Sequence, residues 1–175
     1  MYNQSLGADE ASALGNFSVH LRSSLCVIAL LCLLSASALS QQTSSSGDAT
    51  IPAARLLQPA DLVEMLRSSS GEKPLILQVG SRVLYAEAHI PGSEYAGAAG
   101  EDSGLKGLEA RVESLPRNRL LVIYCGCCPW INCPNIRAAY RKLASMGFTQ
   151  MKVLYIENNF GSDWVAKGYP VEKGR

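Results

Sequence analysis

The chain has 175 residues, as a prior enough for about one domain, with net charge +1 and 18% charged residues. A polyanion-binding surface needs a concentrated basic face, which this balance does not supply, so nucleic acid is excluded as a partner. Six cysteines are unevenly placed: Cys26 and Cys32 fall near the N-terminus, and Cys125, Cys127, Cys128 and Cys133 crowd one short stretch.

"LCVIALLCLL", residues 25–34, is apolar throughout but shorter than the roughly 20 residues a helix needs to cross a bilayer. With Arg22 before it and small residues after it, the run matches the apolar centre of a secretory signal. Residues 1–40 are therefore expected to be a signal peptide, cut after Ala38 or Ser40. The alternative is an uncleaved membrane anchor, because the segment before Arg22 is long and carries Asp9 and Glu10. Residues 41–50, "QQTSSSGDAT", have almost nothing to bury and read as a flexible linker. Export implies a periplasmic or secreted location, where thiols tend to become oxidised.

The folded domain is expected over 51–173. Pro59 opens a helix whose inner face is Leu62, Met65 and Leu66. "PLILQV", 74–79, is a continuous apolar run, as a strand covered on both faces would be. "RVLYAEAHIPGS" reads as a brief helical turn, with Tyr85 and Glu87 solvated, then a corner at His89, Ile90, Pro91 and Gly92. Leu105, Leu108 and Val112 recur at helical spacing, and Pro116 closes that helix. "RLLVIYC", 119–125, is a second continuous strand. The next helix starts at Pro134, faces inward through Ile136, Ala139, Tyr140 and Leu143, and stops at Gly147. "MKVLYI", 151–156, is a third strand, and "SDWVAKGYP" a short closing helix with Trp164 in the core. Alternating strands and helices, with strands lacking period-two patterning, predict an α/β domain: a mostly parallel central sheet with helices on both faces.

In such sheets ligands bind beyond the carboxyl ends of the strands, near helix N-termini. "CGCCPWINC", 125–133, occupies that position. Cys125 ends a strand and faces a helix start, whose dipole and N–H groups favour an anion. Gly126 allows a sharp turn that points amides inward as a nest for charged sulfur. A thiolate is the nucleophilic form of cysteine, and a persulfide is an anion as well. Gly126, Cys127, Cys128 and Arg137 are the expected anion-binding residues around Cys125. Cys127, Cys128 or Cys133 also qualify as resolving thiols or disulfide partners. Trp130 is expected to anchor the loop, and His89 to be a structural turn residue.

The domain resembles the rhodanese, or sulfurtransferase, family over residues 51–173. Three segments carry the likeness. "LILQVGSRVLYAEAHIPGSEYAG" resembles the family's strand followed by a HIPG corner. "LLVIYC", with a loop and an "AA"-bearing helix ending in "MGF", resembles the active-site strand, loop and helix. "KVLYIENNFGSDWVAKGYPVE" resembles the closing segment, with Trp164, Gly168, Tyr169, Pro170 and Val171 in place. The resemblance implies sulfur transfer through a persulfide on Cys125, with a small sulfane-sulfur donor, a thiol acceptor and no resident cofactor. A membrane enters only if the leader stays uncleaved. The chain departs from the family pattern in three places. Its loop is longer and has no charged residue between Cys125 and Arg137. The family's "DVR" reads "QVG", so Gln78 and Gly80 replace an acid and a base. Asn158 and Asn159 stand where the family has two glycines.

Two other readings stay open. The same scaffold suits a thiol–disulfide or Cu(I)-handling module. Structural zinc draws ligand pairs from two separate turns, whereas soft Cu(I) accepts thiolates from one loop; no residue is assigned as a metal ligand. The third reading is a non-catalytic binding domain.

Overall fold

The computed structural model describes residues 50–174, so the expected signal peptide and nearly all of the linker lie outside the described residues. Among the described residues, no helix is long and apolar enough to cross a membrane.

Five strands form one sheet in the order β1-β5-β4-β2-β3. They are β1 (Leu56–Leu57), β2 (Leu75–Gln78), β3 (Glu94–Tyr95), β4 (Leu121–Tyr124) and β5 (Met151–Leu154). Every pairing is parallel; Leu75 to Gln78 of β2, for example, lie opposite Leu121 to Tyr124 of β4. The helices are α1 (Pro59–Arg67), α2 (Arg82–Glu87), α3 (Asp102–Val112), α4 (Pro134–Ser145) and α5 (Phe160–Asp163).

The continuous apolar strands are explained by a core on each face. Leu77, Leu121, Ile123, Met151 and Val153 pack under α3 and α4, through Leu108, Val112, Ile136, Ala139, Tyr140 and Leu143. Ile76, Val122, Tyr124 and Leu154 pack on the other face, under Leu62 and Val63 of α1 and Phe160 of α5. With both faces covered, successive residues of β4 are all buried, and alternation of polar and apolar residues disappears. The expected α1 face shifts slightly: Leu62 and Val63 are buried, while Met65 and Leu66 are only partly so.

Two features end elements as the sequence suggests. Gly147 takes the left-handed conformation at φ 85° just past α4. Trp164 is fully buried, its Nε1 donating to the Pro170 carbonyl at 2.9 Å, with Phe160 and Tyr169 rings on either side. Trp164→Ala should cost about 3–5 kcal/mol, because the cavity cannot collapse between two rings. Urea unfolding checks this: the midpoint falls while the slope stays constant.

Tyr85 corrects an expectation. It is buried, not solvated: its hydroxyl donates to the Ser93 carbonyl at 2.5 Å and its ring stacks on His89 at 4.0 Å. His89 is the structural corner residue expected. Its Nδ1 lies 2.8 Å from the Tyr85 carbonyl, and its backbone exchanges two hydrogen bonds with Glu172. Tyr124 joins this corner to β4, its hydroxyl accepting from the Ile90 N–H at 3.3 Å.

Candidate active site

The thiol loop leaves the carboxyl end of β4 and runs through a 3-10 turn, Trp130–Asn132, into α4. Several bonds fix its path. The Trp130 N–H donates to the Glu157 carbonyl at 2.8 Å, and the Trp130 ring lies 5.0 Å from Tyr155, so this aromatic anchors the loop. Buried Gln78 donates from Nε2 to the Cys125 carbonyl at 3.2 Å and accepts from the Gly80 N–H at 3.1 Å. The residue standing for the family's acid thus ties β2 to the loop. Gly126 has φ 72°, and a Cβ there would lie 2.7 Å from Phe160 Cβ. Its carbonyl accepts from the Phe160 N–H at 2.9 Å, which seats the loop against α5. Gly80 is small for another reason: a Cβ would lie 2.6 Å from Cys125 Sγ.

These constraints gather the sulfurs. Cys125 Sγ and Cys127 Sγ are 2.9 Å apart, and Cys127 Sγ and Cys128 Sγ 3.4 Å. The Sγ atoms of Cys125, Cys127 and Cys128 all lie within 4.8 Å of one another, a spacing that a single soft ion would also accept. Cys133, buried at the N-terminal end of α4, interacts with all three. All four thiols are free.

Asn135 was not singled out by the sequence, yet it is the polar centre of this cluster. It sits in the first turn of α4, buried, with its Oδ1 accepting from the Gly100 N–H at 2.7 Å. Its Nδ2 donates to Cys125 Sγ at 3.4 Å and to Cys127 Sγ at 3.5 Å. The available signal was an amide directly after the helix-opening proline, on the side of the helix that must face the loop.

The surroundings of the sulfurs favour the thiolate form at Cys127 and disfavour it at Cys125. Cys127 is half-buried, and its contacts with the Cys125, Cys133 and Cys128 sulfurs, with the Asn135 N–H adding to them, hold it down to about 2 against its own burial. Cys125 is only 3% exposed, and its contacts with the Cys127 and Cys133 sulfurs, together with burial, push its thiol upward. One loop amide, the Cys127 N–H, does point at Cys125 Sγ, but it is outweighed. Burial and contact with the Cys127 sulfur push Cys128 up to about 12. Where several thiols share one site, burial and hydrogen bonding decide which is held down, and here the direction favours Cys127, two residues beyond the expected Cys125.

The direction has a testable sign. A thiol held down to about 2 is anionic at every higher pH. Alkylation of Cys127 by a neutral reagent should therefore keep a flat rate between about pH 4 and 8, where an ordinary thiol gains about tenfold per unit. A rate rising steadily through neutrality would mean that Cys127 carries its proton.

Cys127 opens onto two clefts. One, of about 510 Å³, is lined by Ser81, Arg82, Tyr95, Ala98, Gly100, Glu101, Pro134 and Asn135 besides Cys127. The other, of about 390 Å³, is lined with it by Leu84, Glu87, Ala88, Gly126, Asn159, Phe160, Gly161 and Val165. Arg82 brings a cation to the first cleft, its guanidinium carbon 4.2 Å above the Tyr95 ring. Arg137, expected beside the anion, instead gives an N–H to the Ile131 carbonyl at 3.1 Å and braces the 3-10 turn.

No protein-family model matches the chain, and no curated protein matches it either. Solved structures do. The crystal structure of the Alr3790 protein from Anabaena sp. is 23% identical, covers 67% of this chain and 92% of its own, and superposes with a TM-score of 0.52. The solution structure of the rhodanese-like domain from the same Anabaena protein is 22% identical over 68% of this chain and 79% of its own, at 0.51. The BH2092 protein from Bacillus halodurans gives 22% identity over 67% and 75%, at 0.51. The likeness is one of fold: the described residues adopt the rhodanese-like fold, as the sequence motifs implied.

Proposed function

We propose that this rhodanese-fold domain takes sulfane sulfur from a small donor as a cysteine persulfide in its four-thiol loop, with Cys127 as the loading nucleophile. The observation carrying the reading is the cluster geometry: a half-buried sulfur at the open end of a parallel sheet, lining two clefts, 2.9 Å above a buried second sulfur. Loading is a displacement at sulfur. The Cys127 thiolate attacks the outer sulfur of the donor, the new S–S bond forms, and the donor's bond breaks. Its leaving group, sulfite from thiosulfate or a thiolate from an organic persulfide, departs with the electron pair. The sequence favoured Cys125 for this step. Burial of Cys125 and the short distance to Cys127 weigh against it, because no room lies between the two sulfurs for a third.

Arg82 supports binding of an anionic donor, with Glu101 in the same cleft opposing highly charged ones. Export belongs to the same reading, supported by the apolar run behind Arg22; the N-terminal mass of the protein from its native envelope tests it. The chemistry is tested by intact mass spectrometry of reduced protein after exposure to thiosulfate or to a small organic persulfide, with quenching by alkylation. Gain of one sulfur atom, caught at early times in wild type and retained by Cys125→Ser, is the expected result. Failure to gain sulfur from either donor, with stoichiometric copper held by the reduced protein, would overturn the reading in favour of metal handling.

A further inference from the structure

We propose that the loaded sulfur leaves as hydrosulfide, expelled when Cys125 attacks Cys127 and closes a Cys125–Cys127 disulfide, so that the domain reduces sulfane sulfur instead of only relaying it. The inference rests on the loading step above and names its product.

Geometry carries it. The two sulfurs already stand 2.9 Å apart, against about 2.05 Å in a disulfide, so bond formation needs a shift of roughly one ångström. The turn that brings them together is built for closeness: Gly126 supplies φ 72° and has no room for a Cβ. Asn135 holds both sulfurs through one amide nitrogen. Cys125 is sealed in the core cluster, at 3% exposure, so its accessible reaction partner is the sulfur lying over it. Cys127 lines the clefts, so a sulfur attached to it extends outward while Cys125 approaches from the core side. Displacement at sulfur runs through such an opposed arrangement of attacking and leaving atoms. Cys128 is a poorer candidate, because adjacent cysteines pair only in a strained ring.

The step balances. The Cys125 sulfur attacks the Cys127 sulfur, a Cys125–Cys127 bond forms, and the bond from Cys127 to the sulfane sulfur breaks. The leaving sulfur takes the bonding electron pair and, in net, the Cys125 proton, and departs as HS⁻. Over loading and discharge the sulfane atom is reduced by two electrons, and the two cysteine sulfurs are oxidised to the disulfide. An external dithiol reductant returns both thiols and completes a cycle.

The experiment treats reduced, desalted protein with one equivalent of thiosulfate, and separately of a small organic persulfide, in thiol-free buffer. Wild type should release about one sulfide per chain and end without added sulfur, with a Cys125–Cys127 disulfide in the peptide map; dithiothreitol should then make sulfide release catalytic. Cys125→Ser should gain and keep one sulfur and release no sulfide, and Cys125→Ala provides the same readout if the serine variant does not fold. Wild type that holds its sulfur until an external thiol arrives overturns this inference while leaving the loading step intact. A disulfide mapped to Cys128 or Cys133 overturns the assignment to Cys125. If neither wild type nor the Cys125 variants ever gain sulfur, the loading step fails, and this inference with it.

Discussion

Cys127→Ser should leave the domain folded and abolish sulfur loading, a loss of roughly 10³-fold or more in loading rate, as for removal of other covalent nucleophiles. The serine hydroxyl fits the half-buried site and keeps a hydrogen-bonding group there, but it does not ionise near neutrality, and sulfur–sulfur exchange needs an anionic sulfur. The measurement is sulfite release from thiosulfate by wild type, Cys127→Ser and Cys125→Ser over a timed exposure, together with the sulfur retained by each. The pair of variants separates two assignments that the sequence alone leaves together. Loss of loading in Cys127→Ser, with persistent loading in Cys125→Ser, assigns the nucleophile to the half-buried sulfur that lines the clefts. The reverse pattern would return it to Cys125, the position that the family motif indicates, and would mean that the loop opens before it reacts.

Gly126→Ala should damage both stability and chemistry. A residue with a Cβ at φ 72° costs roughly 1–2 kcal/mol in the left-handed region. The new methyl would also stand 2.7 Å from Phe160 Cβ, and such overpacking adds about 1–3 kcal/mol. For a domain of this size the combined cost lowers Tm by about 8 °C or more. Gly147→Ala is the internal control, because its φ is 85° but a Cβ there meets nothing within 4 Å. It should show the conformational cost alone. The clash at Gly126 has to be relieved by moving the loop or α5, which spreads the sulfurs. Hydrosulfide release should therefore slow more than loading does. Equal slowing of both steps would argue that the close approach of Cys125 and Cys127 contributes nothing special to discharge.

Much of this architecture can be read before any coordinates are seen. Strand assignments at 74–79, 119–125 and 151–156 succeed because burial on both faces leaves an uninterrupted apolar signature that few other elements produce. The α4 face is equally legible: a proline at its start, a glycine at its end, and four inward residues at helical spacing. The distribution of charge among neighbouring thiols is not legible, because it depends on how deeply the fold buries each sulfur and which groups it brings against it. Asn135 escapes notice for a related reason. Its partners, Gly100 and two sulfurs, come from different segments and meet only once the sheet has formed. Tyr85 looks like a surface residue because its helix is too short to show periodicity, and its burial comes from the corner that folds over it.

The missing side chain at Gly80 has an implication for the order in which mutations can be accepted. An arginine placed at position 80 would drive its first carbon into the seat held by Cys125 Sγ, 2.6 Å away. A positively charged arm and this deeply set sulfur are thus mutually exclusive occupants, and their effects are epistatic. Any side chain at position 80 therefore requires Cys125 to change its rotamer or its identity at the same time, and a library that varies 80 alone should return mostly glycine among its stable, active members.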